Sequence, residues 1–409
     1  MFNQCSNYKL EEKKPVKKFT SSLKQYDRKK NCLQLSEKKF MASQTNENKM
    51  HFKKEDIYES KYRSFLTKRD GVFKKNESSL HTFIDILSSK TLQDLKLEFA
   101  AIKSYNFPEH TRNAFDHNMS LNKYKDIVCI DQTRVSLNPP GPHYYHANFV
   151  NQLGMKHNFI CCQAPMDETI VDFWRLCIQK NVSIIICLVN SIEYGKKKFS
   201  QYWPNNEGET IKFKYFNIEY DSTENCDEAY FIRNLKVWMD GVDSVPVRIK
   251  QIQWREWPDK FVPSVTTSVM RLIRRLKNIK KNETIVVHCT AGIGRTGTLI
   301  ATNMLFSKIS SNSEINIYNT VMDLRKQRAG AVQTEIQYIY LHKIIVDYCL
   351  IINIFSTARK AIAIKFIEEY NLYYESLLQG GIQQQNDFLS PNPLPISPFQ
   401  VNQNYPNQQ

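Results

Sequence analysis

The stretch VHCTAGIGRTG, residues 287–297, constrains this chain more than any other, because it concentrates glycine, cysteine and arginine in a sequence of 409 residues with only 12 glycines. An apolar run, TIVV, leads into it, and GRTGTLIATNML, which reads as a helix, leads out. A buried strand that delivers a glycine-bearing turn to a helix N-terminus is the architecture of an anion nest. The Walker pattern G-x-x-x-x-G-K is absent, so a bound nucleotide is not the best explanation. What sits in the nest is Cys289. A thiol ringed by amide N–H groups and near Arg295 has its thiolate stabilised, and the arginine can grip a tetrahedral oxyanion in bidentate fashion. Nucleophile and phosphate cradle become one object.

Around this loop the hydrophobic pattern mixes two periods. Leu80, Phe83, Ile84, Leu87, Leu92, Leu95, Phe99 and Ile102 recur at helical steps, which predicts one or two helices over 79–105. Short apolar runs then predict strands at KDIVCI, YYHANFV, NFICCQA, VSIIICLV, TIKFKYFNIEY, AYFIRNLKVWM, VRIKQIQW and ETIVVHC. ETIVDFWRLCIQK and SVTTSVMRLIRRLKNIKK read as helices between them, and the chain is helical again after the loop. The expected class is α/β or α+β: a central mixed, twisted sheet flanked by helices, with the phosphate-binding loop between a strand and a helix.

Charge divides the chain. Residues 1–75 hold 20 Lys and Arg against 9 Asp and Glu, while 76–409 hold 36 against 32. The first segment has too little apolar periodicity to order itself and is expected to be a disordered basic arm, with weak contact to anionic membrane or nucleic acid as the sharper alternative. The catalytic domain is expected over 76–355. Residues 356–378 look helical without an assignable role, and the Gln-, Asn- and Pro-rich tail over 379–409 is expected to be disordered. The ten cysteines include no C-x-x-C pair, the first thirty residues hold no secretory leader, and IIVDYCLIINIF at 344–355 is too short to span a bilayer. A cytoplasmic address is the expectation.

HCTAGIGRTG resembles the H-C-x-x-G-x-G-R-[ST]-G signature of the cysteine-based protein tyrosine phosphatases. Further segments resemble that family's elements in its order: NKYKDI at 122–127 its phosphotyrosine-recognition loop, FICCQAPMDETIVDFW at 159–174 its Q-G-P segment and EYGKKKFSQYWP at 193–204 its acidic and lysine loop. WREWPDKFVP at 254–263 resembles its W-P-D loop and QTEIQY at 333–338 its glutamine loop. Several phrasings, such as RAGAVQTEIQYIYLHK, are most like small nematode members.

The resemblance implies a role for each matched position. Cys289 attacks phosphorus, while Arg295 and the loop Thr290, Ala291, Gly292, Ile293 and Gly294 hold the phosphate oxygens. Asp259, beside Trp257, is the general acid and base. Gln333 orients the hydrolytic water with help from Gln337, and Thr296 eases departure of the thiolate. His288 steadies the loop, Glu193 pairs with Arg295, and Lys198 approaches Asp259 or the phosphate. Tyr124 walls a pocket too deep for phosphoserine, and Asp126 holds the substrate backbone. Phosphotyrosine-containing proteins are the implied partners, and neither metal nor other cofactor is implied.

The sequence departs from the family at four places. Phe261 stands where the W-P-D loop expects glycine, Lys260 where an aromatic or histidine is usual, Ala164 where the Q-G-P segment has glycine, and Trp254 where tyrosine is common. Glycine permits backbone angles and close approaches that phenylalanine obstructs. Two readings therefore stand: an active phosphotyrosine hydrolase, and a catalytically weak protein that traps phosphotyrosine because its acid loop cannot close.

Overall fold

The computed structural model describes residues 77–224, 227–241 and 245–389; the expectations for residues 1–75 and for the tail beyond 389 fall outside them. Its strands are β1 (Arg134–Ser136), β2 (Tyr144–Val150), β3 (Asn158–Cys162), β4 (Val182–Cys187), β5 (Ile192–Glu193), β6 (Lys196–Lys197), β7 (Thr210–Phe213), β8 (Phe216–Thr223), β9 (Tyr230–Met239), β10 (Val247–Trp254) and β11 (Thr284–His288). Nine of them form one sheet in the order β1-β2-β3-β11-β4-β10-β9-β8-β7, while β5 and β6 pair as a separate hairpin. The inner strands β3, β11, β4 and β10 run parallel and the outer pairings are antiparallel. The sheet is mixed, as the sequence predicts.

The helices are α1 (Glu77–Ser88), α2 (Leu92–Ser104), α3 (Asn113–His117), α4 (Ile170–Gln179), α5 (Thr266–Lys277), α6 (Gly294–Ser310), α7 (Ile317–Arg325), α8 (Glu335–Ile351) and α9 (Thr357–Leu389). They cover both faces of the sheet. Val286 packs with Phe173 and Trp174 of α4 on one side, and Ile285 and Val287 pack with α5, α6 and α8 on the other. With both faces covered, β11 reads as an unbroken apolar run rather than an alternating one. Its C-terminal end, at the middle of the parallel strands, is where Cys289 emerges, the position at which open α/β sheets bind ligands.

Three expectations need correction. KDIVCI at 125–130 is not a strand. The Ile127 and Ile130 carbonyls are met by side chains of β2, His146 Nε2 at 2.8 Å and Asn148 Nδ2 at 3.0 Å, which take the place of a ladder. TIKFKYFNIEY is two strands, because Lys214 turns the chain in the left-handed region at φ 56°.

The third correction concerns the tail. Helix α9 absorbs residues 356–378 almost whole and its backbone stays helical to Leu389, past position 379 where disorder was expected. Its Ala363, Phe366 and Tyr370 are buried in the main core at helical spacing, and Arg359 pairs with Asp85 of α1 at 2.7 Å. An established helix extends at little cost, and glutamine is a good helix former, so the run carries through Gly380 and Gly381.

Candidate active site

The four carbonyls that follow Cys289 all point away from the centre of the loop, because each has a donor outside it. Thr290 O accepts from Ala164 N and Ile293 O from Val332 N, both at 3.0 Å. Ala291 O and Gly292 O each accept from the Arg328 guanidinium at 3.0 Å. In a trans peptide the carbonyl and the next N–H point opposite ways, so the amides of residues 291–294 turn inward. Gly292 N donates to Cys289 Sγ at 3.3 Å, and α6 starts two residues later at Gly294.

Two glycines make this geometry possible. Gly292 has φ 72°, and a Cβ there would lie 1.9 Å from the Cys162 carbonyl oxygen. A Cβ at Gly297 would lie 2.4 Å from Val332 N, so α6 and the segment before Gln333 could not approach as they do.

Arg328 is the residue that sequence reasoning missed. It is fully buried and also donates to Asn148 Oδ1 at 2.7 Å and meets His146 Nδ1 at 3.1 Å. Burial and the adjacent Arg328 charge push the His146 pKa down to about 3, which leaves the ring neutral and able to accept. Nothing in RAGAVQ distinguishes such a brace from a surface arginine. His288 is a second brace: buried, pushed down to about 4 by burial, and bonded to Tyr202 Oη at 2.8 Å and Cys289 O at 3.1 Å.

Arg295 is 1 % exposed. Its two terminal nitrogens reach Glu193 at 2.6 and 2.7 Å, Nη1 also donates to Leu188 O at 2.9 Å, and Nη2 lies 2.9 Å from Asp259 Oδ1. The hairpin of β5 and β6 turns through Tyr194 and Gly195, at φ 50° and 72°, and so holds Glu193 in place. Burial opposes the charge on Arg295, but Glu193, Cys289 and Asp259 together hold its pKa above the ordinary arginine value. Lys198 Nζ completes the group at 3.0 Å from Asp259 Oδ2 and 3.9 Å from Glu193.

Asp259 therefore lies against Arg295, with its loop folded over the site. Burial disfavours its carboxylate, yet Arg295 and Lys198 outweigh that and hold its pKa below the usual aspartate value. The residue in the left-handed region is Lys260, at φ 63°, and Phe261 is not among the positive-φ residues. The glycine expected at 261 is not needed here, and the obstruction attributed to Phe261 does not occur. The loop is pinned by Thr334 Oγ1 to Lys260 O at 2.8 Å and by Trp257 Nε1 and Gln337 Nε2 to Phe261 O at 3.0 and 3.3 Å. Trp254 packs edge-on against Trp257 behind it.

The other expected residues sort into rim, floor and frame. Tyr124 is 38 % exposed at the rim, and the charges of Lys198, Asp259, Cys289 and Arg295 all bear on its hydroxyl, as does its partial burial. Its loop is carried by Gln163, which accepts from Lys123 N at 2.9 Å and donates to Leu121 O at 2.8 Å. Asp126 is exposed nearby in sequence. On the floor, the buried hydroxyls of Thr290 and Thr296 find no hydrogen-bond partner among the described residues. Gln337 serves both frame and site: it is fully buried, its amide oxygen accepts from Gln333 N and Thr334 N at 2.9 and 3.2 Å, and it caps α8. Its Nε2, which holds Phe261 O, also lies 3.3 Å from where a Gly294 Cβ would stand. Gln333 stays at the site, its Oε1 within 2.9 Å of where a Gly294 Cβ would stand.

The family model of protein-tyrosine phosphatase matches residues 118–347, a span that contains every one of these loops. This chain belongs to the protein-tyrosine phosphatase family. Among its curated relatives, tyrosine-protein phosphatase non-receptor type 20 of Homo sapiens is 30% identical over 275 residues, covering 66% of this chain and 65% of its own length. Tyrosine-protein phosphatase 69D of Drosophila melanogaster is 35% identical over 248 residues, 58% of this chain and 17% of its own. The chain thus spans less than two thirds of either relative. A solved structure of PTPN18, described as the basis of its fingerprint on distinct HER2 tyrosine phosphorylation sites, has a TM-score of 0.60 and 29% identity over 66% of this chain and 99% of the other.

Proposed function

We propose that this chain hydrolyses phosphotyrosine in proteins through a cysteinyl-phosphate intermediate. One observation carries the reading: the Cys289 sulfur lies within a ring of inward amides, with Gly292 N at 3.3 Å, under an Arg295 that Asp259 meets at 2.9 Å. The similar PTPN18 structure, described as recognising distinct tyrosine phosphorylation sites, supports the substrate class.

Cys289 Sγ attacks phosphorus as the P–O bond to tyrosine breaks, and Asp259 gives its proton to the leaving phenolic oxygen. Arg295 and the loop amides hold the three equatorial oxygens as charge redistributes. Asp259 is held ionised by Arg295 and Lys198 before substrate arrives. An incoming phosphate competes for Arg295 and brings its own negative charge, and both effects raise the Asp259 pKa toward the protonated form the acid step requires. Water positioned by Gln333 then attacks the cysteinyl-phosphate, Asp259 takes its proton, and the Thr296 hydroxyl donates to the departing thiolate.

Tyr124 at the rim stacks on the substrate ring, and the depth from rim to Cys289 excludes phosphoserine. Asp126 holds the substrate backbone. We assign the activity to the cytoplasm and to signalling by phosphotyrosine, in keeping with the non-receptor name of one relative and with the free thiols of all seven described cysteines. The obstruction that motivated a phosphotyrosine trap is not seen, so no observation favours that reading. Initial rates of the full chain and of Cys289→Ser on a phosphotyrosine peptide and its phosphoserine counterpart test the proposal. Turnover of phosphotyrosine alone, lost in Cys289→Ser, is the expected result; turnover that survives in Cys289→Ser contradicts it.

A further inference from the structure

Phe261 stands where the acid loop of the family has a glycine, and its ring lies against α9. It meets Tyr374 edge to face, with centroids 6.3 Å apart and planes at 88°. Tyr374 is itself backed by Tyr370, stacked at 6.1 Å and 14°, and Tyr370 is buried in the main core under Lys343. One residue back, Tyr373 donates to Glu335 at the first position of α8, and Lys96 of α2 lies 3.8 Å over the Tyr373 ring and 3.6 Å from Glu335. The same turn of chain, Gln333 to Gln337, presents Thr334 and Gln337 to the Lys260 and Phe261 carbonyls. Helix α9 is therefore fixed to the segment that pins the acid loop by its backbone, and supplies the ring that holds the loop by its side chain.

We infer that Tyr374 is a positioning residue for Asp259: its ring buttresses Phe261 and keeps the acid loop folded over Cys289 and Arg295. The inference rests on the phosphatase reading above and adds to it a specific dependence on the C-terminal helix. Phe261 and Tyr374 form a matched pair, in which a bulky loop residue is accommodated because the helix offers it an aromatic platform. Removing the platform leaves nucleophile, arginine and phosphate cradle untouched. What it changes is the fraction of time Asp259 stands where a leaving group can take its proton. An edge-to-face aromatic contact is strong enough to shift that fraction by about 2- to 10-fold.

The test uses the full chain as wild type, Tyr374→Ala, Tyr374→Phe, Phe261→Gly and the double variant Phe261→Gly with Tyr374→Ala. Each is assayed for kcat/KM on aryl phosphates of graded phenol acidity, and for its thermal midpoint. Loss of proton donation is felt most by the most basic leaving group, whereas general misfolding lowers every substrate alike. The expected result is a loss of about 2- to 10-fold for Tyr374→Ala on the most basic phenol, shrinking as the phenol becomes more acidic. Tyr374→Phe keeps the wild-type dependence on the leaving group, and the double variant loses no more than Tyr374→Ala alone. Equal losses on all substrates, no loss on any, or losses that multiply in the double variant would overturn the buttress. A wild type that hydrolyses none of the substrates overturns the phosphatase reading beneath it and is distinguished by needing no variant to show it.

Discussion

The catalytic loop and the acid loop meet at one ion pair, yet they are held to different degrees. Residues 290–293 are committed throughout their backbone: two carbonyls are taken by the Ala164 and Val332 amides and two by the buried Arg328 guanidinium, and Gly292 sits so close to Cys162 that no side chain fits. The acid loop is held at fewer points, by Thr334, Gln337 and Tyr374 from elsewhere and by its own Trp257. Backbone commitment leaves a loop no second arrangement, while a handful of side-chain contacts, each of order 1 kcal/mol, can be made and broken within a catalytic cycle. The contrast suits the chemistry, since the phosphate cradle must be ready beforehand and the acid must come and go with substrate.

Variants can break that contrast. Cys289→Ser removes the nucleophile and is expected to take phosphotyrosine turnover to background in a steady-state assay, with the fold unchanged by circular dichroism. Asp259→Asn keeps the shape of the loop but cannot deliver a proton; its kcat on a phosphotyrosine peptide should fall about 10²- to 10⁴-fold while peptide affinity by calorimetry is retained. Gly292→Ala forces the rigid loop to move and should cost about 1–3 kcal/mol in denaturant unfolding, with activity lost alongside. Thr334→Val, which removes one hydrogen bond from the acid loop and the N-cap hydroxyl of α8, should lower kcat only a few-fold, in line with about 1 kcal/mol, and lower unfolding stability by about 1 kcal/mol through the lost cap.

The two loops also separate by pH. His146 and His288 brace the catalytic loop as neutral rings, with pKa values pushed down to about 3 and about 4 from 6.5. A depressed histidine supports the fold fully above its unfolded value, and that support is lost as pH falls from about 6.5 through the folded values. Unfolding free energy should therefore decline across that window, and less steeply in His288→Gln. Asp259, held below 3.8, should make no contribution to that slope above about pH 4, because its own support is lost only below its unfolded value.

The same contrast decides what could be read from the sequence. The catalytic loop is legible because steric necessity writes glycine at 292 and 297, and because a both-face-buried strand must be apolar at TIVV. The acid loop is recognisable from W-P-D but its working state is not, since the fate of Phe261 depends on Tyr374, 113 positions away and on a helix whose contacts the pattern could not assign. Arg328 escaped for a related reason: a buried arginine is chosen by the carbonyls around it, and those come together only in the fold. KDIVCI misled because its apolar side chains are core residues while its carbonyls are met by side chains rather than a strand. Gln337 is expected to help Gln333 with the water, and what the sequence does not reveal is that it also caps α8 and holds Phe261.

The most direct test of the account is to mix the full chain with a phosphotyrosine peptide, quench in acid within one turnover, and map phosphate on the protein by mass spectrometry. The account predicts transient phosphate on the peptide that contains Cys289, accumulating further when Gln333→Ala slows its hydrolysis. Turnover of phosphotyrosine with no phosphate on Cys289 in either protein would contradict it.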